Sequence, residues 1–296
     1  MDPDRLGPLF VVGAGRVGSA LATLWVGGGI ELLGLWTRSE QGARQAGRLT
    51  GLRCHHGAFP ADIGRARTVI IAVPDGEVAT VAGALLDGGL LRSADAVLHC
   101  GGANPADQAL APLEHSPCRL GTLHPLLAVA DAGQAAARLP GACFAVEGEA
   151  QGTASALVAA IGARAFEVEG EAMALYHTAA VLASNHTVTL WHAACQLLEQ
   201  AGLDAALAAE ALLPLVQSTV DNVATLGLPQ ALTGPVRRGD LGTVERHLAA
   251  LAREAPALLP LYRACTLQAA RIAEEAGADD EELRRALEKI RRRVQE

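Results

Sequence analysis

An α/β chain is what this sequence predicts: a parallel sheet covered by helices, followed by an all-α half. Three observations predict it. Through the first half, short apolar β-rich runs alternate with helical ones, the pattern of strands joined by crossover helices. Beyond Gly170 the runs lengthen and read as helix only. Hydrophobic residues make up 50% of the 296-residue chain but aromatics only 3%, so its core must be built from Ala, Leu and Val, which favours closely packed helices.

In chain order, the strands are predicted at Leu9 to Val12, Glu31 to Trp36, Thr68 to Val73, Ala96 to Cys100, Arg119 to Leu123 and Cys143 to Val146, with Phe166 to Val168 as a last one. Helices follow at Ala172 to Gln200, Asp204 to Ala224, Val244 to Ala252 and Pro260 to Ala276, broken near Gly202, Gly227 to Gly242 and Glu254 to Pro256. The change of pattern sets the domain boundary at Glu169-Gly170-Glu171, giving residues 1–169 and 170–296. The last segment, Asp279 to Glu296, carries acids early and arginines late, which suits the helix dipole without any ligand. Internal repeats and low-complexity tracts are absent from the sequence.

A formal charge of -8 argues against nucleic-acid or anionic-membrane partners, which need a basic surface to displace counterions. The six cysteines, Cys54, Cys100, Cys118, Cys143, Cys195 and Cys265, show neither CxxC nor any paired metal spacing. They read as reduced thiols of a cytoplasmic protein with no structural metal. The start MDPDRLG lacks a basic leader region, and the first apolar stretch is broken by a glycine turn, so neither a signal peptide nor a membrane span is expected.

That glycine turn is the most informative segment. Phe10 to Ala20 reads FVVGAGRVGSA, an apolar strand running through Gly13, Ala14, Gly15, Arg16, Val17 and Gly18 into a helix. The spacing is that of a Rossmann-type dinucleotide turn. Gly13 allows the sharp turn, Gly15 the close approach of bare backbone to a pyrophosphate, and Gly18 tight packing of helix on strand. The second strand ends in Thr37-Arg38-Ser39, where an NAD site usually offers a carboxylate to the ribose hydroxyl. Two hydroxyls and a guanidinium suit a 2′-phosphate instead, so the expected cofactor is NADP. The plainer alternative leaves Arg38 a solvated surface charge.

Ligands of such sheets sit beyond the carboxyl ends of the strands. One strand ends at Val73-Pro74-Asp75, where Asp75 either borders the cofactor or merely caps the next helix. Others end at His99-Cys100-Gly101-Gly102 and at Thr122-Leu123-His124-Pro125. His99 is a candidate for substrate binding and His124 for proton transfer. In the helical half, Tyr176-His177 precedes Ser184-Asn185. On one continuous helix, seven positions return Ser184 to within about 20° of His177, with Asn185 about 80° away. His177 and Asn185 then form a polar stripe with Ser184, facing either a substrate or another helix. Finally, Leu232-Thr233-Gly234-Pro235-Val236-Arg237-Arg238-Gly239-Asp240 is a loop whose Thr233, Arg237 and Arg238 could hold a substrate carboxylate. Its Asp240 could cap the helix that follows.

Taken together, GAGRVGSA, AVPD, GTLHPL, YHTAAVLASNH and LTGPVRRGD resemble, in that order, a family of uncharacterised Rossmann-like oxidoreductases whose second domain is of unknown function. The resemblance runs from about Pro8 to about Ala270. Wider relatives look like ketopantoate reductase, pyrroline-5-carboxylate reductase, and the 6-phosphogluconate and 3-hydroxyisobutyrate dehydrogenases. It implies an N-terminal NADP domain, a helical C-terminal domain resembling that of 6-phosphogluconate dehydrogenase and contributing to a homodimer, and a reaction between NADPH and a small carboxylate-bearing carbonyl or imine compound. One departure matters. Hydroxyacid members of the wider group protonate the substrate with a helix lysine, whereas this chain has a single lysine, Lys289, in its terminal segment. His177 stands where that lysine would fall, so the proton donor becomes His177, with His124 in reserve. A cyclic-imine reductase and a non-catalytic NADP(H) sensor are the alternatives.

Overall fold

The computed structural model describes residues 6–277 and 280–296. It divides into two compact units, Met1–Asn185 and His186–Glu296.

In the first unit, β1 (Leu9–Val12), α1 (Arg16–Gly27), β2 (Leu32–Thr37), α2 (Glu40–Thr50) and β3 (Cys54–His56) alternate, and then β4 (Thr68–Ile71) and α3 (Val78–Asp87) follow. Next come β5 (Ala96–His99), α4 (Ala106–Ala109), β6 (Arg119–Pro125), α5 (Ala132–Arg138), β7 (Cys143–Glu147), α6 (Gln151–Ala160), β8 (Arg164–Glu167) and α7 (Met173–Ala183). All eight strands form one sheet in the order β3-β2-β1-β4-β5-β6-β7-β8. The chain first moves outward from β1 through β2 to β3, then returns to β4 on the other side of β1. Order therefore reverses between β1 and β4, where ligand crevices form in such sheets.

Alternation along β1 shows why the layers form. Leu9 and Val11 enter one apolar core with Leu21, Trp25 and Phe144, while Phe10 and Val12 enter a second with Ile63, Val81 and Leu85. A strand with both faces covered reads as a continuous apolar run, and β1 is buried throughout. Two differences from the sequence reading emerge. The short strand β3 was not expected. β7 pairs antiparallel with β6 and parallel with β8, although strand-helix-strand patterning reads the same for either direction.

The second unit contains α8 (Asn185–Gln200), α9 (Ala205–Leu226), α10 (Leu241–Glu254), α11 (Leu259–Ala276) and α12 (Glu281–Gln295). Its core joins Val236 to Val244 and Leu248 of α10, Ala270 and Ala273 of α11, and Leu283, Leu287, Ile290 and Val294 of α12. Asp240 caps α10 by accepting from the Thr243 N–H at 2.9 Å, as the sequence suggested. Asp280 does the same for α12 through Leu283. The predicted start of that last helix, Asp279, lies outside the described residues. The predicted long helix from Ala172 to Gln200 is two helices, because Ser184 departs from helical geometry at φ -112 and ψ -71. Among the described residues, no helix is long and apolar enough to cross a membrane.

Candidate functional site

The glycine turn after β1 has the geometry its spacing predicts. Gly13 adopts φ 110, and a Cβ there would stand 2.4 Å from the carbonyl oxygen of Ala72 after β4. A Cβ on Gly18 would stand 2.1 Å from the Gly13 carbonyl oxygen. Both positions therefore exclude any side chain for internal reasons. Gly15 differs: nothing lies within 4 Å of its Cβ position, so the open space is on the ligand side. Gly15 is the N-cap of α1, makes no side-chain capping bond and has no acid in the turn that follows. The first N–H groups of α1 thus remain available to an anion.

A cleft of about 1040 Å³ runs from Ala14, Gly15 and Arg16 past Thr37 and along one face of α2, with Asp131 on its other side. This is the shape and donor set a dinucleotide phosphate chain needs. The guanidiniums lining it are those of Arg16, Arg44 and Arg48. Arg38, just past the end of β2, is exposed, as Arg44 and Arg48 are, and lies outside that lining. The Ser39 hydroxyl accepts from the Gly42 N–H at 3.1 Å, capping α2. Arg44 and Arg48 escaped the sequence reading, although their spacing of four along α2 puts them on one face. Val17 and Val73 are partly buried, packed against the two cores.

Pro74, not Asp75, holds the N-cap position of the short turn after β4, and that turn has no side-chain cap. Asp75 is therefore not the helix cap considered from the sequence. Its carboxylate stands 2.7 Å from where a Gly101 Cβ would be, so a side chain there would push it aside.

His99 is buried, with both ring nitrogens engaged. The Gly101 N–H donates to its Nδ1 at 3.1 Å, so Nε2 carries the proton and meets the Thr122 hydroxyl at 2.9 Å. Thr122 in turn donates to Glu147 Oε2 at 3.0 Å, and the Ala106 N–H donates to the same oxygen at 2.8 Å. Burial, with the charge of His124 adding to it, lowers the His99 pKa to about 4. This relay ties β5, β6, β7 and the start of α4 together. The imidazole has no polar atom left for a substrate, which corrects the substrate-binding expectation.

His124, one pleat beyond Thr122, enters a different environment. Its Nδ1 lies 2.7 Å from the Tyr176 hydroxyl of α7. Its ring meets those of Tyr176 and His177 edge-on, with centroids 5.5 and 5.8 Å away. Burial first, then the neighbouring His177, lowers the His124 pKa to about 4. Burial also raises the Tyr176 phenol to about 12, with the Cys143 charge contributing. These three side chains, with Ser184 and Asn185, form the polar lining of a pocket of about 530 Å³ whose other walls are Pro125, Leu126, Leu127 and the alanines of α7. The predicted set His124, His177, Ser184 and Asn185 is thus brought together despite the helix break. Tyr176 is the member the sequence reading quoted without giving it a role.

Thr233, Arg237 and Arg238 belong to the second unit. Val236 anchors their loop in that unit's core, Arg237 is half-buried with Nη1 3.8 Å from the Gly277 Cβ position, and Arg238 is exposed.

Comparison with known proteins matches these two halves separately. Residues 2–125 match a Rossmann-like domain, and residues 142–269 match a domain of unknown function, DUF2520. The chain joins a Rossmann-like domain to a DUF2520 domain. Among solved structures, a candidate NADP oxidoreductase from Bacteroides fragilis is 21% identical, with 91% of this chain and 99% of that one covered and a TM-score of 0.71. A protein from Thermotoga maritima is 24% identical over the same shares, with a TM-score of 0.70. A reductive aminase from Aspergillus terreus, solved with NADPH and ethyl levulinate, is 18% identical, with 89% and 93% covered and a TM-score of 0.58. Comparison with curated proteins gives no match. At these identities the likeness is one of fold. The DUF2520 match begins just before β7 and ends within α11, so it contributes Tyr176, His177, Ser184 and Asn185, while the Rossmann-like match ends at Pro125 and includes His124.

Proposed function

We propose that this chain is an NADP-dependent oxidoreductase acting on a small carbonyl or imine compound. The glycine turn carries the reading: Gly13 and Gly18 are closed by backbone, while Gly15 alone faces open space at an uncapped helix end. The residues that would hold the cofactor are Gly13 to Gly18 at the pyrophosphate and Thr37 with Arg16, Arg44 and Arg48 along the cleft. When bound, NADPH supplies the hydride equivalent for a C=O or C=N carbon.

The pocket of His124, Tyr176 and His177 fits the substrate end of that reaction. Its apolar walls exclude water around the reacting group, and its polar side chains orient an oxygen or nitrogen. Open volume beside three polar rings favours an enzyme over a sensor, whose equivalent space would be filled by apolar side chains. The lining contains neither Lys nor Arg. A substrate carboxylate therefore has no cationic partner within this lining. Cyclic imino acids remain the runner-up, since an imine can arrive already protonated.

We also infer that the chain pairs with a second copy through α8 and α9. No residue of α8 is buried, and α9 buries only Ala208. Between them these helices expose Val188, Leu190, Leu213, Leu215, Val220 and Leu226, an apolar surface that monomers rarely leave open.

The experiment is NADPH consumption, followed by absorbance, against 2-oxo acids, 3-oxo acids, uncharged ketones and cyclic imino acids, with NADH in parallel. Turnover with NADPH on one class fixes the reaction. Tight NADPH binding without turnover on any of them favours the sensor.

A further inference from the structure

We propose that Tyr176, held in place by His124, is the proton donor of the site, with His177 positioning the substrate beside it. The assignment rests on the oxidoreductase reading above and deepens it.

Geometry separates the three candidates. His124 has Nδ1 committed to the Tyr176 hydroxyl at 2.7 Å, and its other nitrogen faces the glycine loop, 2.6 Å from where a Gly102 Cβ would be. It lines the pocket, but with Nδ1 committed to the phenol it serves as a support for Tyr176. The Tyr176 ring is fixed on two further sides, edge-on to His124 and packed on Phe166 of β8 with centroids 5.8 Å apart. Its hydroxyl consequently occupies a defined point on the pocket wall. His177, next along α7, sets its ring edge-on to that of His124. With Nδ1–H of His124 donating to the phenol oxygen, the phenol proton is free to point into the pocket.

The chemistry balances on these groups. The substrate carbon gains the hydride of the proposed reaction, and its oxygen or nitrogen takes the electron pair of the former double bond. The Tyr176 O–H bond breaks as that atom takes the proton, forming the alcohol or amine. Tyr176 is left as phenolate, accepting from His124 Nδ1–H, and recovers its proton from water. An alkoxide is a far stronger base than a phenolate, so the transfer runs downhill even with the phenol raised to about 12. The titratable groups around it are His124 on β6, Cys143 on β7 and His177 on its own helix.

The donor's identity is read from a pH profile of the wild-type enzyme. A phenol donor stays protonated throughout the neutral range, so kcat with NADPH and the panel's best substrate should be level from about pH 6 to pH 9. An imidazolium donor would instead lose activity about tenfold for each pH unit above the ordinary histidine range near 6.5. Tyr176→Phe, which keeps the ring packing, should lower kcat about 10²- to 10⁴-fold with KM for the substrate and Kd for NADPH within about threefold of wild type. His177→Ala should raise KM more than it lowers kcat. A falling profile, or Tyr176→Phe with near-normal kcat, overturns the assignment while leaving the oxidoreductase reading intact. If wild type binds NADPH but reduces nothing in the panel, the reading fails and this assignment fails with it.

Discussion

In the first compact unit the sheet and its covering helices enclose two apolar cores, whereas α7 of that unit and the first two helices of the second leave large apolar side chains exposed. Phe144, Leu98 and Ile70 are fully buried between the sheet and its covering helices. On α9, by contrast, Leu213 is 55% exposed, Leu215 61% and Leu226 56%. Yet α9 is a 22-residue helix with a good N-cap, Asp204 accepting from two backbone N–H groups. A helix of that length gains its stability mostly from packing an apolar face, and α9 packs almost nothing against its own unit. The contrast teaches that burial around the sheet accounts for its fold, while the exposure along α9 is the observation behind the proposed pairing with a second copy.

The largest effect expected from this contrast is on stability. Phe144→Ala should cost about 3 to 5 kcal/mol in urea unfolding, because its cavity is enclosed on all sides. A cost below about 1 kcal/mol would mean that the sheet's core is not the rigid part of the chain. Acid should act on the same unit. His99 and His124 have folded pKa values near 4, below the ordinary value near 6.5. The unfolded chain therefore takes up protons first, and stability is full above about pH 6.5 and declines as pH falls toward 4, by up to ~3 kcal/mol per histidine. Unfolding free energies that stay level between pH 7 and 4.5 would contradict the burial of these rings.

Smaller shifts are expected at the cleft and on α9. Arg48→Gln should narrow the preference for NADPH over NADH about tenfold, whereas Arg38→Gln should change it little, as measured by the ratio of the two Kd values. The reverse order would return the 2′-phosphate to Arg38. Leu215→Ser should move the melting of the first unit by less than about 0.5 kcal/mol yet reduce the mass seen by light scattering from two chains to one. A wild-type chain that is already single at micromolar concentration would remove the second-copy reading.

How much of this was legible in the sequence follows from the range of the contacts involved. The turn from Gly13 to Gly18 is local, and its spacing alone carried the geometry of β1 and α1. Strand cores were legible because residues such as Leu9 to Val12 are apolar on both faces. β3 was missed because three residues at a sheet edge, Cys54 to His56, carry too little apolar pattern. The reversed direction of β7 was invisible, since α5 precedes it just as a parallel crossover helix would. In the site, His124 and His177 were found by type and position, but their partner Tyr176 depends on contact across 52 residues of sequence. His99 was misread because the Gly101 N–H, Thr122 and Glu147, which occupy it, meet only after the strands pair.

The most direct test of the central claim is the Kd for NADPH of Gly15→Ala, measured by titration calorimetry beside its melting temperature. Space around the Gly15 Cβ position is empty, so the variant should fold and melt like wild type while binding NADPH at least about tenfold more weakly, a loss of ~1.4 kcal/mol. Unchanged affinity in a normally folded variant would mean that no phosphate approaches this backbone, and that the glycine turn is not the cofactor site.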